Sequence, residues 1–355
     1  MPARLAHVSL ERLRRNLVKL RRLAGQVRVL LPVKADAYGH GARRVAAELS
    51  DLPWIWGFGV ASAPEAAELL AVSDKPVLIF TPLEPGEVGI LRSGQVRATV
   101  SAVQELEQLP EGTPVHLEIN TGLNRLGARP AELPALLEAC RGRFPVEAVF
   151  SHFASADRAD LRDATRQRWE FERATAGLPV LRHLSSSHGV LAFGAAAAFD
   201  LIRPGIAAYG YSSYDHGRQL SLEPALRLEA RIGYLHWVEP GEAVSYGGVW
   251  QAERPTLVAT VQIGYADGYP RSGQGQQVWV GGERRPVLGR VCMDQLMVDV
   301  TGLGVRVGDF VELAGDHIRL SELEAWSGRI HYELLCGLGA RVERVYEPGP
   351  REKRA

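Results

Sequence analysis

The 355-residue chain has only three cysteines, Cys140, Cys292 and Cys336. They are odd in number, far apart and without a CxxC pair, so neither a disulfide framework nor a metal site of the zinc type is expected. An excess of charge of one sign is also missing, since 41 basic side chains stand against 41 acidic ones. With no net positive surface and no polybasic run outside the short ends, nucleic acid and anionic membranes find little to grip. Long hydrophobic runs are absent too: the longest near-apolar stretch, Gly189 to Phe199, is about half of what crosses a bilayer. The N-terminus lacks the apolar stretch and small-residue cleavage site of an export signal, which makes the cytoplasm the expected location.

What is present suits a folded chain with a sizeable core: 46% of the residues are hydrophobic and 23% charged, ordinary for a globular surface and interior. Near the start, Leu10, Leu13, Leu17, Leu20 and Leu23 recur at helical spacing among Arg14, Arg15, Lys19, Arg21 and Arg22. A helix packed on its leucine face explains this better than a basic helix lying on a membrane.

From Val27 onward, short apolar runs alternate with loops and amphipathic helical stretches, the sequence form of βα units. The runs are Val27 to Val33, Trp56 to Val60, Pro76 to Phe80, Val96 to Val100, Val115 to Ile119, Val146 to His152, Val180 to Leu184 and Leu201 to Arg203. Helical segments between them include Ala42 to Leu49, Ala63 to Val72, Glu132 to Cys140 and Leu161 to Ala176. Eight such units in about 200 residues is the size of a closed (β/α)8 barrel of the TIM type. An open doubly wound sheet is the alternative, although its GxGxxG turn after the first strand is absent.

After Tyr211 the alternation stops. Leu226 to Val238, Thr256 to Ile263, Gln277 to Val280, Gly289 to Val300 and Asp309 to Leu313 read as strands, with a helix interrupting at Ser321 to Trp326. The expected organisation is an α/β barrel over residues 9–222 followed by a mostly β domain over 223–355, to which a strand within residues 1–8 could add.

In such a barrel the chemistry sits where the strands end at their C-termini. Lys34 follows the first run, within Lys34-Ala-Asp-Ala-Tyr-Gly-His-Gly41. Glu118, Asn120 and Arg125 follow the fifth, His152 ends the sixth, Ser185, Ser186 and Ser187 follow the seventh, and Arg203-Pro-Gly-Ile206 ends the eighth. A strand-end lysine alone is usually a solvated surface group. Five strands delivering polar residues to one rim are harder to attribute to chance. A lysine partly withdrawn from water can form an imine, and Ser187 with the amides of Gly205 and Ile206 lies where barrels hold phosphate. Together they suggest a phosphorylated aldehyde cofactor, pyridoxal phosphate (PLP).

Ser151-His-Phe-Ala154, Val244-Ser-Tyr-Gly247, Gly264-Tyr-Ala-Asp-Gly268 and Gly289-Arg-Val-Cys-Met-Asp-Gln295, with the Lys34 and Arg203 motifs, resemble the alanine racemase family in order and over most of the chain. The resemblance implies PLP-dependent interconversion of L- and D-alanine for peptidoglycan synthesis, by a head-to-tail homodimer. Lys34 matches the Schiff-base lysine and the base for the D-alanine face. Tyr246 matches the tyrosine base for the L-alanine face, contributed to the other subunit's site. Two bases make chemical sense, because racemisation takes a proton from one face of Cα and returns one to the other. A phenol is a poor base at neutral pH unless a neighbour holds its anion, and His152 and Arg203 match that neighbourhood. Arg203 also matches the residue facing the pyridine nitrogen, where an arginine keeps the ring a weaker electron sink. Tyr38, Ser187, Gly205 and Ile206 match phosphate contacts, Arg125 the arginine beside the phenolic oxygen, and Met293 a backbone donor to the substrate carboxylate. Tyr265 and Arg271 match the access corridor, and His183 a partner of Arg203.

Three positions depart from the common pattern. Glu118 stands where many members carry a carbamylated lysine; a carboxylate in place of a carbamate is expected to pair with Arg125. Ser186 replaces the usual Asn, and Ala340 stands at a phosphate-contacting tyrosine. A serine or broad-specificity racemase of the same fold is the runner-up. A PLP-dependent decarboxylase and a non-catalytic PLP carrier are more distant alternatives, and the carrier reading is opposed by the second domain.

Overall fold

The computed structural model describes residues 2–84, 86–271 and 275–347. Residues Arg12–Glu223 form one compact unit and the described residues on either side form a second.

The first unit is a closed barrel of eight parallel strands: Arg28–Pro32, Ile55–Val60, Val77–Ile79, Val96–Val100, Val115–Glu118, Val146–Phe150, Leu181–Ser186 and Leu201–Arg203. Closure is completed where Arg28 and Val29 pair with Leu201 and Ile202. These strands read as largely apolar runs because both faces are covered, the inner by the barrel core and the outer by helices. Val77, Leu78 and Ile79 are all fully buried. Between strands, Ala63–Leu70 begins after Ser62, whose side chain accepts from the Glu65 N–H, with a proline in the first turn; both are ordinary helix-start signals. After the third and fourth strands the connections hold, among the described residues, only the 3-10 turns Val88–Ser93 and Val103–Gln108. The basic helix Leu10–Leu23 is a packed one, with Leu13, Leu17 and Leu20 fully buried.

The second unit is built on an eight-stranded sheet in the order Thr256–Val261, Leu296–Asp299, Glu283–Leu288, Gln277–Val280, Phe310–Ala314, Leu226–Val238, Arg4–Ser9, Glu343–Glu347. The N-terminal strand pairs antiparallel with Leu226–Val238 and parallel with Glu343–Glu347. Two short helices, Leu320–Ser327 and His331–Cys336, follow the Phe310–Ala314 strand; the second has no counterpart in the sequence reading. A correction concerns Gly289 to Val300, expected as one strand. Only Leu296–Asp299 is strand. Gly289 has φ +65°, and a Cβ there would lie 2.4 Å from the Val244 carbonyl oxygen, so the chain turns and residues 290–295 form a loop. Among the described residues no helix is long and apolar enough to cross a membrane.

Candidate active site

Lys34 opens a turn of unusual hand. Ala35, Asp36, Ala37 and Tyr38 have φ of 52°, 53°, 54° and 53°, a left-handed run that costs an L-residue about 1–2 kcal/mol per position. Such a turn persists only where its surroundings impose it. Glu65 does so from the neighbouring helix: its two carboxylate oxygens accept from the Ala35 N–H and the Ala61 N–H, each at 2.7 Å. Asp36 closes the far end, accepting from the Ala42 N–H at 2.8 Å through its side chain and from the Gly41 N–H at 2.8 Å through its carbonyl. Beneath, the Tyr38 and Tyr209 rings lie 5.0 Å apart, and the Tyr209 hydroxyl donates to the Pro32 carbonyl at 2.9 Å.

Glu65 was not singled out from sequence, although Ser62-x-x-Glu65 has the form of a capping box. Here the glutamate reaches past its own helix to hold the Lys34 turn. Glu65→Ala is expected to lower stability by about 2 kcal/mol, the loss of two charge-assisted bonds discounted for partial exposure, with Glu65→Gln recovering roughly half. Urea unfolding followed by circular dichroism measures both; an unchanged midpoint in Glu65→Ala would show that the turn stands without its clamp.

Arg203, at the end of the eighth barrel strand and 3% exposed, organises the interior of the rim. It donates to His183 Nδ1 at 2.7 Å, to the Ser151 carbonyl at 2.7 Å, to the Leu184 carbonyl at 3.2 Å and to His152 Nδ1 at 3.3 Å. A guanidinium has no acceptor, so both histidines accept at Nδ1 and carry their proton on Nε2. Burial, then the charges of Arg203, Arg125 and Lys34, brings His152 down to about 3. Burial and Arg203 likewise hold His183 neutral, well below the usual histidine range. Burial pulls Arg203 itself to about 10, so it stays charged at neutral pH. Three cations, Lys34, Arg125 and Arg203, therefore share the field around one neutral ring.

The expected pairing of Glu118 with Arg125 is not found. Glu118 is 4% exposed at the end of its strand, whereas Arg125 is exposed in the following loop. The loop is drawn back on the strand, with Ala128 N–H donating to the Glu118 carbonyl at 2.9 Å and a Gly127 Cβ forbidden by the backbone of Ile119 and Asn120. That leaves the two side chains attracted through space without an ion pair. Burial raises the Glu118 carboxyl above its ordinary range, opposed first by Arg203 and only then by Arg125.

On the same rim, after the seventh strand, Ser187 is buried and its hydroxyl accepts from the Ala207 N–H at 3.1 Å. The N–H groups of Gly205 and Ile206 are buried and, among the described residues, find no acceptor within the chain. A buried amide left without a partner costs free energy. Gly205 also leaves space, since a Cβ there would lie 2.5 Å from the Tyr38 hydroxyl oxygen. Ser186 caps the following helix without a side-chain cap bond.

The second unit collects the remaining residues on one surface. Tyr246 is 68% exposed, Met293 53% and Tyr265 39%. Tyr246 follows Ser245, whose φ is 68° and whose hydroxyl donates to the Arg290 carbonyl at 2.6 Å. Tyr265 N–H and Ala266 N–H donate to the Cys292 and Met293 carbonyls at 3.1 and 3.0 Å. This close approach requires Gly264, where a Cβ would lie 2.3 Å from both carbonyl oxygens. Asp267 anchors the patch, buried between Arg4 at 2.9 Å and Arg341 at 2.8 Å. Arg271 and Ala340 are exposed, and among the described residues Arg271 makes no hydrogen bond or ion pair.

Comparison with known proteins places this geometry. A family model described as "Alanine racemase, N-terminal domain" matches residues 8–213, and one described as "Alanine racemase, C-terminal domain" matches residues 225–346. The alanine racemase of Deinococcus radiodurans is 48% identical over 349 residues, 97% of this chain and 99% of that protein. The solved biosynthetic alanine racemase of Pseudomonas aeruginosa superposes with a TM-score of 0.88 at 37% identity, covering 98% of this chain and 100% of that one. The alanine racemase of Bartonella henselae, solved with covalently bound pyridoxal phosphate, gives a TM-score of 0.86 at 27% identity over 98% of this chain and 100% of that one.

Proposed function

This chain belongs to the alanine racemase family, and on that premise we propose how its own residues carry out the PLP-dependent interconversion of L- and D-alanine. The observation that carries the reading is the rim of the barrel: three cations around a neutral histidine, beside two buried N–H groups without acceptors. Both features fit a phosphorylated, anionic cofactor. Tyr38, Ser187 and the Gly205 and Ile206 amides would hold its phosphate, Arg125 its phenolic oxygen and Arg203 its pyridine nitrogen. When bound through Lys34, PLP supplies an electron sink that acidifies the substrate Cα–H.

The chain's own groups then move the proton. Lys34 takes it from, or returns it to, the D-alanine face, and Tyr246 of the other subunit in a head-to-tail homodimer serves the L-alanine face. The exposure of Tyr246, Tyr265 and Met293 supports a role for that surface toward a second copy. His152, protonated on Nε2 because Arg203 occupies Nδ1, offers an N–H to stabilise a tyrosine anion without giving up a full proton. Arg203 keeps its own protons, leaving the pyridine nitrogen bare and the sink weak, which limits side transamination. The Met293 backbone and Arg125 receive the substrate carboxylate, with Tyr265 and Arg271 along the access corridor. Glu118, with no ion pair to Arg125, acts through the field it sets against Arg203. This reading includes a cytoplasmic place, supplying D-alanine for the cell wall.

Incubating L-alanine with the PLP-loaded protein tests it. The circular dichroism signal is expected to decay to zero with no loss of amino acid. Accumulation of pyruvate or ethylamine in place of the other enantiomer would overturn the assignment.

A further inference from the structure

The bond from Arg203 to His183 is the first link of a longer chain inside the barrel. His183 and His116 are both fully buried, and His183 Nε2 lies 3.0 Å from His116 Nδ1. Because Arg203 can only donate, His183 Nδ1 must accept and its single proton sits on Nε2. His116 Nδ1 must then accept as well, which puts the His116 proton on Nε2. That nitrogen has no hydrogen-bond partner among the described residues. The group facing it is the Glu147 carboxylate, 3.8 Å away, too far for a hydrogen bond but close enough to favour an N–H pointing at it.

Glu147 is itself fixed: Arg97 grips both its oxygens, at 2.9 and 3.0 Å, while donating to the Gly94 and Gln95 carbonyls at 3.1 and 2.8 Å. Ring contacts hold the histidines in place, Phe150 stacked on His183 at 4.8 Å and Trp56 beside His116 at 5.2 Å. The links run from the last residue of the eighth strand, through the middle of the seventh, to the second residues of the fifth and sixth. They therefore descend from the rim toward the opposite end of the barrel, where Glu147 is partly open to solvent.

We propose that His116 and Glu147 are positioning residues for Arg203: the carboxylate at the far end favours the Nε2–H form of His116, and this keeps the His183 Nδ1 lone pair available to the guanidinium. The inference rests on the reading of Arg203 as the group facing the cofactor ring. Burial, the largest cause, keeps both histidines below their ordinary range, so neither ring gains the second proton that would reverse a link. A break along the chain weakens the 2.7 Å bond from Arg203 to His183 Nδ1, leaving the guanidinium held by Ser151, Leu184 and His152 on its other nitrogen.

The test uses PLP-loaded protein carrying 15N-histidine. Long-range proton–nitrogen spectra, assigned with His116→Gln and His183→Gln, are expected to show both rings protonated at Nε2; an Nδ1–H or doubly protonated His116 overturns the proposal. In kinetics, Glu147→Leu removes the acceptor at similar volume and is expected to lower kcat about tenfold with KM for alanine changed less than about twofold, and to move the absorption maximum of the bound cofactor. Glu147→Gln, whose amide oxygen still accepts, is expected to regain most of that loss, which a purely structural role for the carboxylate would not predict. Wild-type kcat in Glu147→Leu overturns the proposal, and if that variant fails to fold, a Glu147→Gln enzyme as slow as an Arg203→Lys one does so. A cofactor spectrum unmoved by Arg203→Lys would instead sink the reading of Arg203, leaving the tautomers to decide the hydrogen-bond chain by themselves.

Discussion

Tyr246→Phe is expected to lower racemisation by about a thousandfold, within the range general-base groups contribute, while leaving the fold and the bound cofactor unchanged. The ring is 68% exposed in the single chain, and among the described residues no hydrogen bond joins its hydroxyl to the rest of the molecule. Substitutions at such positions usually shift stability by no more than about 0.5 kcal/mol, so a large kinetic loss would belong to chemistry. The two faces of the reaction should separate. In deuterated water, Cα exchange of D-alanine should continue through Lys34, whereas exchange of L-alanine should fall with the racemisation rate. Equal loss on both enantiomers would mean that Tyr246 only shapes the site; no loss would remove it from the mechanism.

Acid should destabilise the barrel through its buried histidines before its ordinary carboxylates titrate. His116, His152 and His183 are all held below the ordinary histidine range, burial being the main cause in each. Below about pH 6.5 the unfolded chain binds protons at these histidines that the folded chain resists, so stability falls as pH falls; for His152, brought to about 3, the loss reaches about 2 kcal/mol at pH 5. His183 and His116 add to that loss in the same direction. A second loss follows lower down: against the opposing effect of burial, His116 and Arg97 bring Glu147 to about 2, so its contribution is complete above about pH 4.5 and disappears as pH drops through 2. Denaturant midpoints between about pH 7.5 and pH 5 check the first window. A flat profile there would mean that the buried rings accept protons after all. His116→Gln should reduce the slope without abolishing it.

The barrel was legible because parallel strands covered on both faces leave apolar runs that need no alternation to be seen. Val96–Val100 and Leu201–Arg203 fall where the runs were read, and the long strand Leu226–Val238 matches residue for residue. Glu283–Leu288 was not visible, because Arg284, Arg285 and Pro286 in succession interrupt its alternation. On the rim, Lys34, His152 and Arg203 drew attention because each breaks an apolar run. Glu147 and His116 did not, since they lie near the starts of their strands and their inward aim leaves no trace in hydropathy. Glu65 lies thirty residues from the turn it holds, a distance no local pattern bridges. The turn itself was hidden, because Ala-Asp-Ala-Tyr carries none of the glycine or asparagine that usually marks a left-handed backbone.

That turn also sets an order of events in time. Local side chains support part of it, Asp36 at the Ala42 N–H and His40 at the Tyr38 carbonyl, 2.8 Å from its Nδ1, but the Ala35 N–H donates to Glu65, which leaves the ribosome thirty residues after Lys34's immediate neighbour. Until the helix Ala63–Leu70 has formed and docked, four mirror-image residues in a row lack their clamp at Ala35, and the local bonds alone must offset their cost. The end of the turn next to the reactive amine is thus unsecured until the framework behind it exists. A half-made chain carries the lysine but not the site, and the first aldehyde it meets finds an ordinary, freely moving amine.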